Sequence, residues 1–256
     1  MNFIYILKYE QLKYNLQYIS VMDKMNDYFD KVYVLSLKRN KDRRKIATER
    51  LNKVGLEFEF FDACDGQVFN HIWKKLENDN FSTPNYVACQ LSHLSIYNDA
   101  LSNGYKRILI LEDDIKPHKN LNEMFLIFEK QIPQNVDLLY WGWIPCNDDQ
   151  SQWTYDIIND RFFNKNTFYP KNLWGLYAYS ISDTLMKEMI QIYNDDFPME
   201  IDRFFVNEVQ QNRNSCAVRP QLFAHDIMIS NNGGFIDSQS LIKSIDHRIL
   251  DSSFYL

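Results

Sequence analysis

The chain has 256 residues, of which 45% are hydrophobic and 24% are charged, and it contains only 7 Gly and 7 Pro. These values are ordinary for a globular domain, and they exclude collagen-like, Gly-rich and disordered classes. The formal net charge of -6 argues against a general nucleic-acid binder, which would usually be basic.

The N-terminal residues and the cysteines indicate a compartment. Residues 1–25 are interrupted by charged side chains and contain no apolar run long enough for a signal peptide or a membrane span. The four cysteines show no metal-binding spacing, so we expect free thiols in a reducing compartment. We therefore predict no transmembrane segment and a cytoplasmic location.

One main domain is predicted, because no repeat, low-complexity tract or Pro/Gly/Ser linker divides the chain. This domain is expected to cover residues 29–230. Residues 1–28 have mixed polarity and are expected to form an N-terminal helical extension. Residues 231–256 are expected to form a polar, mobile C-terminal tail.

The first elements of the domain alternate between strand and helix. Val32–Leu37 is a short apolar run rich in β-forming residues, which predicts a buried strand. A basic segment follows and is predicted to become a helix that ends at Gly55. Glu57–Phe61 is predicted to be the second strand. This β-α-β order predicts a parallel sheet.

The middle of the chain carries the strongest periodic signal. Between residues 86 and 103, apolar side chains recur at spacings of three and four, which predicts an amphipathic helix with Val87, Leu91, Leu94, Tyr97 and Leu101 on one face. Arg107–Leu111 is the most apolar run of the chain. It is predicted to be a central strand that is buried on both faces.

The later elements complete an α/β fold. Residues 144–170 are polar and aromatic with little periodicity, and we predict a long active-site loop there. The remaining predicted elements are strands at 137–141, 176–181 and 217–220 and helices at 183–193 and 202–212.

Three adjacent carboxylates, Glu112, Asp113 and Asp114, follow the central strand directly. Adjacent carboxylates repel unless a cation lies between them, and oxygen ligands at this end of a strand suit Mg²⁺ or Mn²⁺ with phosphate oxygens. In extended geometry Glu112 and Asp114 would face one side and Asp113 the other. The alternative interpretation is a solvated acidic turn.

Four short blocks, in this order, resemble the motifs of glycosyltransferase family 25, which includes lipooligosaccharide galactosyltransferases and collagen galactosyltransferase-like proteins. The blocks are Val32–Leu37 followed by Arg39 and Arg43, Phe61–Gly66, Ala88–Leu94 and Leu109–Asp114. The resemblance implies a GT-A-type, Rossmann-like fold with a mostly parallel sheet flanked by helices. It also implies Mn²⁺ (or Mg²⁺), a UDP-sugar donor, usually UDP-galactose, and inversion at the anomeric carbon.

The resemblance assigns expected roles to single residues. Donor-binding roles fall on Ser36, Arg39, Arg43, Asp65, Ser92, His93, Glu112 and Asp113. The metal is expected on Glu112 and Asp114, with His225 as a third ligand. The structural alternatives are an exposed basic helix face for the arginines, a simple turn at Asp65-Gly66 and a packing role for His93.

Inversion needs a general base that removes the acceptor proton. Asp202 is the first candidate and Glu200 the second, although Asp at this position is also a common helix cap. The expected reaction is transfer of a hexose to a hydroxyl of a glycan, a lipid-linked acceptor or a protein.

Two other functions agree with the same residues. A metal-dependent phosphohydrolase could also place carboxylates after a strand, and would turn over simple phosphate esters. A catalytically inactive domain of this family would bind a glycan or a partner instead. An inactive site need not keep three mutually repelling carboxylates, which argues against this second alternative.

Overall fold

The protein is described here by a computed structural model, which covers residues 25–68, 84–145, 166–196, 198–226 and 254–256. Its strands are β1 Lys31–Ser36, β2 Glu59–Asp62, β3 Arg107–Glu112, β4 Ile115–Pro117, β5 Leu138–Tyr140, β6 Ile144–Pro145, β7 Thr167–Phe168, β8 Leu173–Trp174, β9 Ala178–Ser182, β10 Ser215–Val218 and β11 Phe223–His225. Its α-helices are α1 Lys41–Lys53, α2 Pro84–Ser102, α3 Leu121–Glu129, α4 Asp183–Asp195, α5 Ile201–Phe204 and α6 Gln210–Asn212.

Seven strands form the central sheet, in the order β2-β1-β3-β9-β5-β10-β7. Strands β1, β2 and β3 are parallel, and β5 and β10 run in the same direction as these three. Strands β9 and β7 run antiparallel to their neighbours. The predicted α/β class, with a mostly parallel sheet flanked by helices, is confirmed.

Strand β3 lies at the centre of this architecture because both of its faces are apolar. Ile108 and Ile110 pack into one hydrophobic cluster, and Leu109 and Leu111 pack into a second cluster on the other face. All four side chains are fully buried. Residues of α2 and α4 contribute to the first cluster, whereas residues of α1 and α3 contribute to the second. The carboxylates after Leu111 are therefore attached to a strand that is buried on both faces.

The predicted helix ends agree with the structure. Helix α1 ends two residues before Gly55, which has a φ of 70°, and α2 ends two residues before Gly104, which has a φ of 75°. Glycine adopts this left-handed conformation without a steric penalty. More than one face of α2 is buried, because Ser92 and His93 are buried in addition to apolar residues of the helix.

Several short elements were not predicted, and one predicted helix has a different form. The pattern at 115–129 gave no element, but the structure has strand β4 and helix α3 there, and β4 pairs with β11 antiparallel. The helix predicted at 202–212 contains a π-helical segment, Phe205–Val209, between α5 and α6.

Parts of three predicted segments lie outside the described residues. These parts are 1–24 of the N-terminal extension, 146–165 of the predicted loop and 231–253 of the predicted tail. Met25–Tyr28 forms a 3-10 helix. At the other end, Tyr255 is buried and donates a hydrogen bond to the Gln221 carbonyl oxygen. Among the described helices, none is long and apolar enough to cross a membrane.

Gly142 lies against the Tyr177 ring and the Phe223 backbone, and we predict that Gly142→Ala destabilises the fold. A Cβ atom at Gly142 would lie 2.4 Å from the Tyr177 ring and 2.5 Å from the Phe223 carbonyl oxygen. The Phe223 carbonyl group belongs to the backbone and cannot rotate away from the added methyl group. The substitution should therefore lower the free energy of unfolding by about 1–3 kcal/mol. Urea unfolding would measure this loss, with the exposed Ser102→Ala as a control expected within about 0.5 kcal/mol of the parent. An unchanged unfolding midpoint for Gly142→Ala would contradict the prediction.

Candidate active site

A cleft of about 130 Å³ opens at the carboxyl ends of strands β1 and β3. Open α/β sheets bind ligands at this edge, because the strand ends and the following loops leave a crevice there. Residues from four segments line the cleft, including Arg39, Arg43, Asp65, Cys89, Ser92, Glu112, Asp113 and Asp114. The fold thus brings together most of the residues singled out in the sequence.

The acidic turn has a different orientation from the one expected. Strand β3 ends at Glu112, and Asp113 and Asp114 form a turn, so the alternation of an extended chain stops there. The Arg43 guanidinium contacts Asp113 Oδ1 at 2.5 Å and Asp114 Oδ2 at 2.6 Å. Ser36 Oγ donates to Asp113 Oδ2 at 2.6 Å. The expectation that Asp113 faces away from Asp114 was therefore wrong, because both carboxylates meet the same arginine.

The carboxylates of this turn differ in their electrostatics. Burial raises the pKa of Glu112 well above its usual range, and the negative charges of Asp114, Asp202 and Asp113 raise it further. Burial also raises the pKa of Asp113, although the Arg43 charge and the Ser36 hydrogen bond oppose this shift. Glu112 is therefore the group that would gain most from an added positive charge.

The pKa of Asp114 shifts in the opposite direction, because His225 and Arg43 lie beside its carboxylate. Burial alone would raise the pKa of Asp114, but the hydrogen bond and charge of His225 and the charge of Arg43 outweigh burial and lower the pKa. His225 Nε2 lies 3.4 Å from Asp114 Oδ2. The pairing of β11 with β4 positions His225, since it lies opposite Ile115, the residue that follows Asp114.

Asp226 connects the antiparallel pair of β4 and β11 to the rest of the domain. Its backbone N–H donates to the Asp114 carbonyl oxygen at 2.6 Å. Its carboxylate accepts from Arg50 at 2.7 Å and pairs with Lys116 at 2.5 Å. Burial acts against these cations, but together they lower the pKa of Asp226. The backbone of the acidic turn is therefore held by α1 and β11 as well as by its own strand.

The loops after β1 and β2 form the opposite wall of the cleft. Arg39 pairs with Asp65, so these two predicted donor-binding residues contact each other directly. Arg44 donates to the Ser36 carbonyl oxygen at 2.7 Å and to Asp62 at 2.6 Å. Arg44 thus stabilises the loop that carries Ser36.

Gly66 has a structural function beside the cleft. A Cβ atom at this position would lie 2.9 Å from the Asn85 Cα atom at the start of α2. Close approach of the loop to α2 therefore requires glycine at this position.

Helix α2 contributes Ser92 and His93, and both are buried. Ser92 Oγ accepts from the Cys64 backbone N–H at 2.8 Å and donates to the Ala88 carbonyl oxygen at 2.6 Å, so Ser92 joins the helix to the loop after β2. His93 Nε2 lies 3.9 Å from Glu112 Oε1. Burial lowers the pKa of His93 to about 4, so its imidazole is neutral near pH 7.

The candidate base Asp202 lies at the start of α5. Burial raises the pKa of Asp202 to about 7, and the charge of Glu200 raises it while a hydrogen bond from the Leu176 backbone lowers it. The charge of Asp202 also raises the pKa of Glu112. Asp202 and Glu112 therefore interact electrostatically. Glu200 is the N-cap residue of α5, and its side chain makes no capping hydrogen bond.

The residues around Asp114 fit a divalent cation. Asp114 Oδ1 is buried and has no hydrogen-bond partner. Glu112 is surrounded by like charge, and His225 presents an imidazole nitrogen to Asp114. Carboxylate oxygens and imidazole nitrogen are ligands that Mn²⁺ accepts, and Mg²⁺ accepts the oxygens. Asp114 and His225 could therefore hold such an ion, and Glu112 could join them after a side-chain movement, since the three side chains do not offer ligand atoms that all lie within 4.8 Å of one another.

Some residues of the site could not be identified from the sequence, because their contacts are with residues far away in the chain. Tyr179 forms a 2.8 Å hydrogen bond with His93 Nδ1, and Tyr179 is 86 residues away in the chain. Arg50 reaches Asp226 across 176 residues. Cys89 had a signal that could have been used, since Cys89 and His93 are four residues apart and share one face of the predicted helix.

Comparison with known proteins supports the resemblance in the sequence. The chain is 28% identical over 156 residues to procollagen galactosyltransferase 2 from Homo sapiens, which covers 56% of this chain and 22% of that protein. It is 35% identical over 101 residues to a putative glycosyltransferase from Haemophilus influenzae, covering 37% of this chain and 36% of that protein. An inactive glycosyltransferase 25 family member 3 from Mus musculus is 30% identical over 137 residues, which is 48% of this chain and 23% of that protein.

These matches span about a fifth to a third of the relatives' own lengths. The family profile "Glycosyltransferase family 25 (LPS biosynthesis protein)" matches residues 29–205, which is more than half of the chain. This range begins just before β1 and includes the acidic turn and α5. On this match, the chain belongs to glycosyltransferase family 25.

Proposed function

We propose that this protein transfers a hexose, most simply galactose, from a UDP-sugar to an acceptor hydroxyl with a divalent metal ion. The observation that carries the proposal is the group of carboxylates at the end of the central strand. Glu112, Asp113 and Asp114 face one cleft, and Asp202 belongs to the same electrostatic cluster. Family membership and the names of two relatives, procollagen galactosyltransferase 2 and putative glycosyltransferase, support this chemistry.

The donor is proposed to bind between the loops after β1 and β2 and the acidic turn. Arg39 and Asp65 line this part of the cleft and are partly exposed. Asp65 could accept hydrogen bonds from the uracil or the ribose, and Arg39 could exchange its present partner for a phosphate oxygen. Arg43 is less available for a direct contact, since its side chain is 16% exposed and pairs with Asp113 and Asp114.

The metal is proposed to bind to Glu112, Asp114 and His225. A divalent cation there, when bound, offsets negative charge on the departing diphosphate. The protein's own contribution is the placement of these ligands. Asp226 and Arg50 fix the backbone beside Asp114 and the pair of strands β4 and β11, while β3 fixes Glu112. The rigid core thus holds the site in one geometry.

Asp202 is proposed to act as the general base. The acceptor hydroxyl oxygen would attack the anomeric carbon while the bond from that carbon to the diphosphate oxygen breaks, and the hydroxyl proton would pass to the Asp202 carboxylate. Attack from the face opposite the leaving group inverts the anomeric configuration. A pKa near 7 suits a base that works at neutral pH, since an appreciable fraction is ionised there and is basic enough to accept a proton.

A nucleotide-sugar screen with the full chain tests the proposal. The protein would be incubated with Mn²⁺ and single nucleotide sugars, and release of the nucleoside diphosphate would be measured against reactions that contain EDTA. We expect release from a UDP-hexose, with UDP-galactose turned over fastest, and at least a ~100-fold decrease in EDTA if the cation supplies about 3 kcal/mol.

The same screen separates the two alternatives. A phosphohydrolase would turn over p-nitrophenyl phosphate at a rate comparable to, or above, that of any nucleotide sugar. An inactive domain would release no nucleotide from any donor, although UDP could still raise the melting temperature. The mouse relative named as inactive makes this last outcome a necessary comparison.

A further inference from the structure

A second group of possible metal ligands lies where helix α2 faces the end of β3. The group consists of Cys89, His93 and Glu112, and we call it the Cys-His-Glu cluster. Cys89 and His93 are four residues apart, so they share one face of α2. One ligand atom from each of the three side chains lies within 4.8 Å of the other two.

The His93 imidazole provides an independent sign that this cluster binds a ligand. Its side chain is fully buried, yet Nε2 has no hydrogen-bond partner. The nearest acceptor in the cluster, Glu112 Oε1, is 3.9 Å away, which is too far for a hydrogen bond. A buried polar atom without a partner is destabilising, because it has lost its hydrogen bonds to water and gained none in return. A cation between His93 and Glu112 would satisfy both atoms.

His93 Nδ1 is hydrogen-bonded, as the second ring nitrogen of a metal-binding histidine usually is. Nδ1 and the Tyr179 hydroxyl are 2.8 Å apart, and the Tyr179 and Tyr97 hydroxyls are 2.6 Å apart, so the three groups form a buried chain. If Nδ1 donates to Tyr179 and Tyr179 donates to Tyr97, the lone pair of His93 lies on Nε2. Such a partner fixes the tautomer and the orientation of a ligating imidazole.

The ligand types favour a softer ion than the one proposed for Asp114. Thiolate, imidazole and carboxylate are ligands of Zn²⁺, and three protein ligands with one open position are typical of zinc sites that exchange a fourth ligand. Cys89 and Glu112 line the cleft, so the fourth position would face it. In a tetrahedral zinc site the ligand atoms are roughly 3.3–3.7 Å apart. The ligand atoms would therefore have to move closer, by about half an ångström for His93 and Glu112 and by up to about 1 Å for Cys89.

We propose that the Cys-His-Glu cluster is a site for Zn²⁺ or a similar thiophilic divalent ion, which differs from the Asp114 site in its other ligands and shares Glu112 with it. Binding would displace the Cys89 thiol proton to solvent, because the thiolate is the ligand. The proposal does not rest on the transferase activity. If the protein is a metal-dependent transferase, Zn²⁺ would compete for Glu112 and inhibit it.

Cobalt titration of the full chain tests this site without a donor or an acceptor. Co²⁺ replaces Zn²⁺ in such sites and gives a strong near-ultraviolet charge-transfer band when a thiolate binds it. We expect the band to saturate at one equivalent of Co²⁺ and to disappear when Zn²⁺ is added. Cys89→Ser should abolish the band, whereas Cys64→Ser, which removes a second cysteine that lines the cleft, should leave it unchanged.

Three outcomes would overturn the proposal. The first is a parent protein that folds but gives no thiolate band. The second is a band that persists in Cys89→Ser, and the third is a band that is lost in Cys64→Ser. Circular dichroism would confirm that each variant is folded, and Cys89→Ala would replace Cys89→Ser if the serine variant did not fold. Because the probe is the metal alone, these outcomes are independent of the nucleotide-sugar screen.

Discussion

Asp202→Asn is expected to lower kcat by at least ~100-fold, since loss of a general base usually costs this much. The substitution keeps the shape of the side chain and leaves an oxygen that can accept the hydrogen bond from the Leu176 backbone. In the parent, kcat should fall about tenfold for each pH unit below about 7, as Asp202 becomes protonated. This slope should be absent in Asp202→Asn.

Stability measurements separate this catalytic loss from misfolding. The pKa of Asp202 is raised in the folded protein, so its contribution to stability is complete below the unfolded pKa and is lost as the pH rises through about 7. At pH 8, Asp202→Asn should therefore be at least as stable as the parent. Glu208→Gln, on an exposed position of the following π-helical segment, is the matched control and should retain activity within about threefold.

A second substitution decides between the two candidate bases. Glu200→Gln removes the charge that helps to raise the pKa of Asp202. If Asp202 is the base, Glu200→Gln should move the acidic limb of the rate profile to lower pH and keep most of kcat at neutral pH. A ~100-fold loss in Glu200→Gln together with an active Asp202→Asn would make Glu200 the base instead.

Asp114→Asn is expected to reduce transfer by ~100-fold or more in the presence of Mn²⁺. The variant keeps the size of the side chain but removes a buried charge that meets Arg43 and His225. If metal-assisted charge stabilisation supplies about 3 kcal/mol in the transition state, its loss corresponds to about two orders of magnitude in rate.

Ligand-induced stabilisation provides a second measurement for Asp114→Asn. In the parent, UDP should raise the melting temperature more with Mn²⁺ than without it, because a bound ligand stabilises in proportion to its affinity. In the variant this difference should vanish. Asp183→Asn is the control, since Asp183 pairs with Lys106 and Lys187 instead of residues of the cleft. Full activity of Asp114→Asn with Mn²⁺ would show that Asp114 is not a metal ligand.

The sequence predicted those elements of the fold whose burial or ends are marked by residues close together in the chain. Strand β3 was predictable because four successive apolar residues serve both faces, and α1 and α2 were predictable because glycines follow them closely. The direction of β9 was not predictable, because an apolar strand has the same pattern in either direction. Tertiary connections place β9 antiparallel between β3 and β5.

The candidate site was predictable as a set of residues and less so as a geometry. The acidic cluster, Arg43 and His225 were named from the sequence and lie together in the structure. The contact of Arg43 with both Asp113 and Asp114 depends on a turn that begins where β3 ends, and no local pattern marks this change. The Cys-His-Glu cluster combines a helix face with a strand end, so only the packing of α2 against β3 brings it together.

The antiparallel direction of β9 has a consequence for variation within such proteins. Strand β5 ends, and β9 begins, at the same edge of the sheet as the acidic turn, as the hydrogen bond from Glu112 N–H to the Tyr177 carbonyl oxygen shows. The connection between Tyr140 and Ala178 therefore leaves and re-enters the sheet beside the cleft. Changes at the described ends of this connection can alter the edge of the sheet beside the acidic turn while the register of β3, β9 and β5 stays the same. Under the proposed function, such changes would alter acceptor preference without a change in the carboxylates.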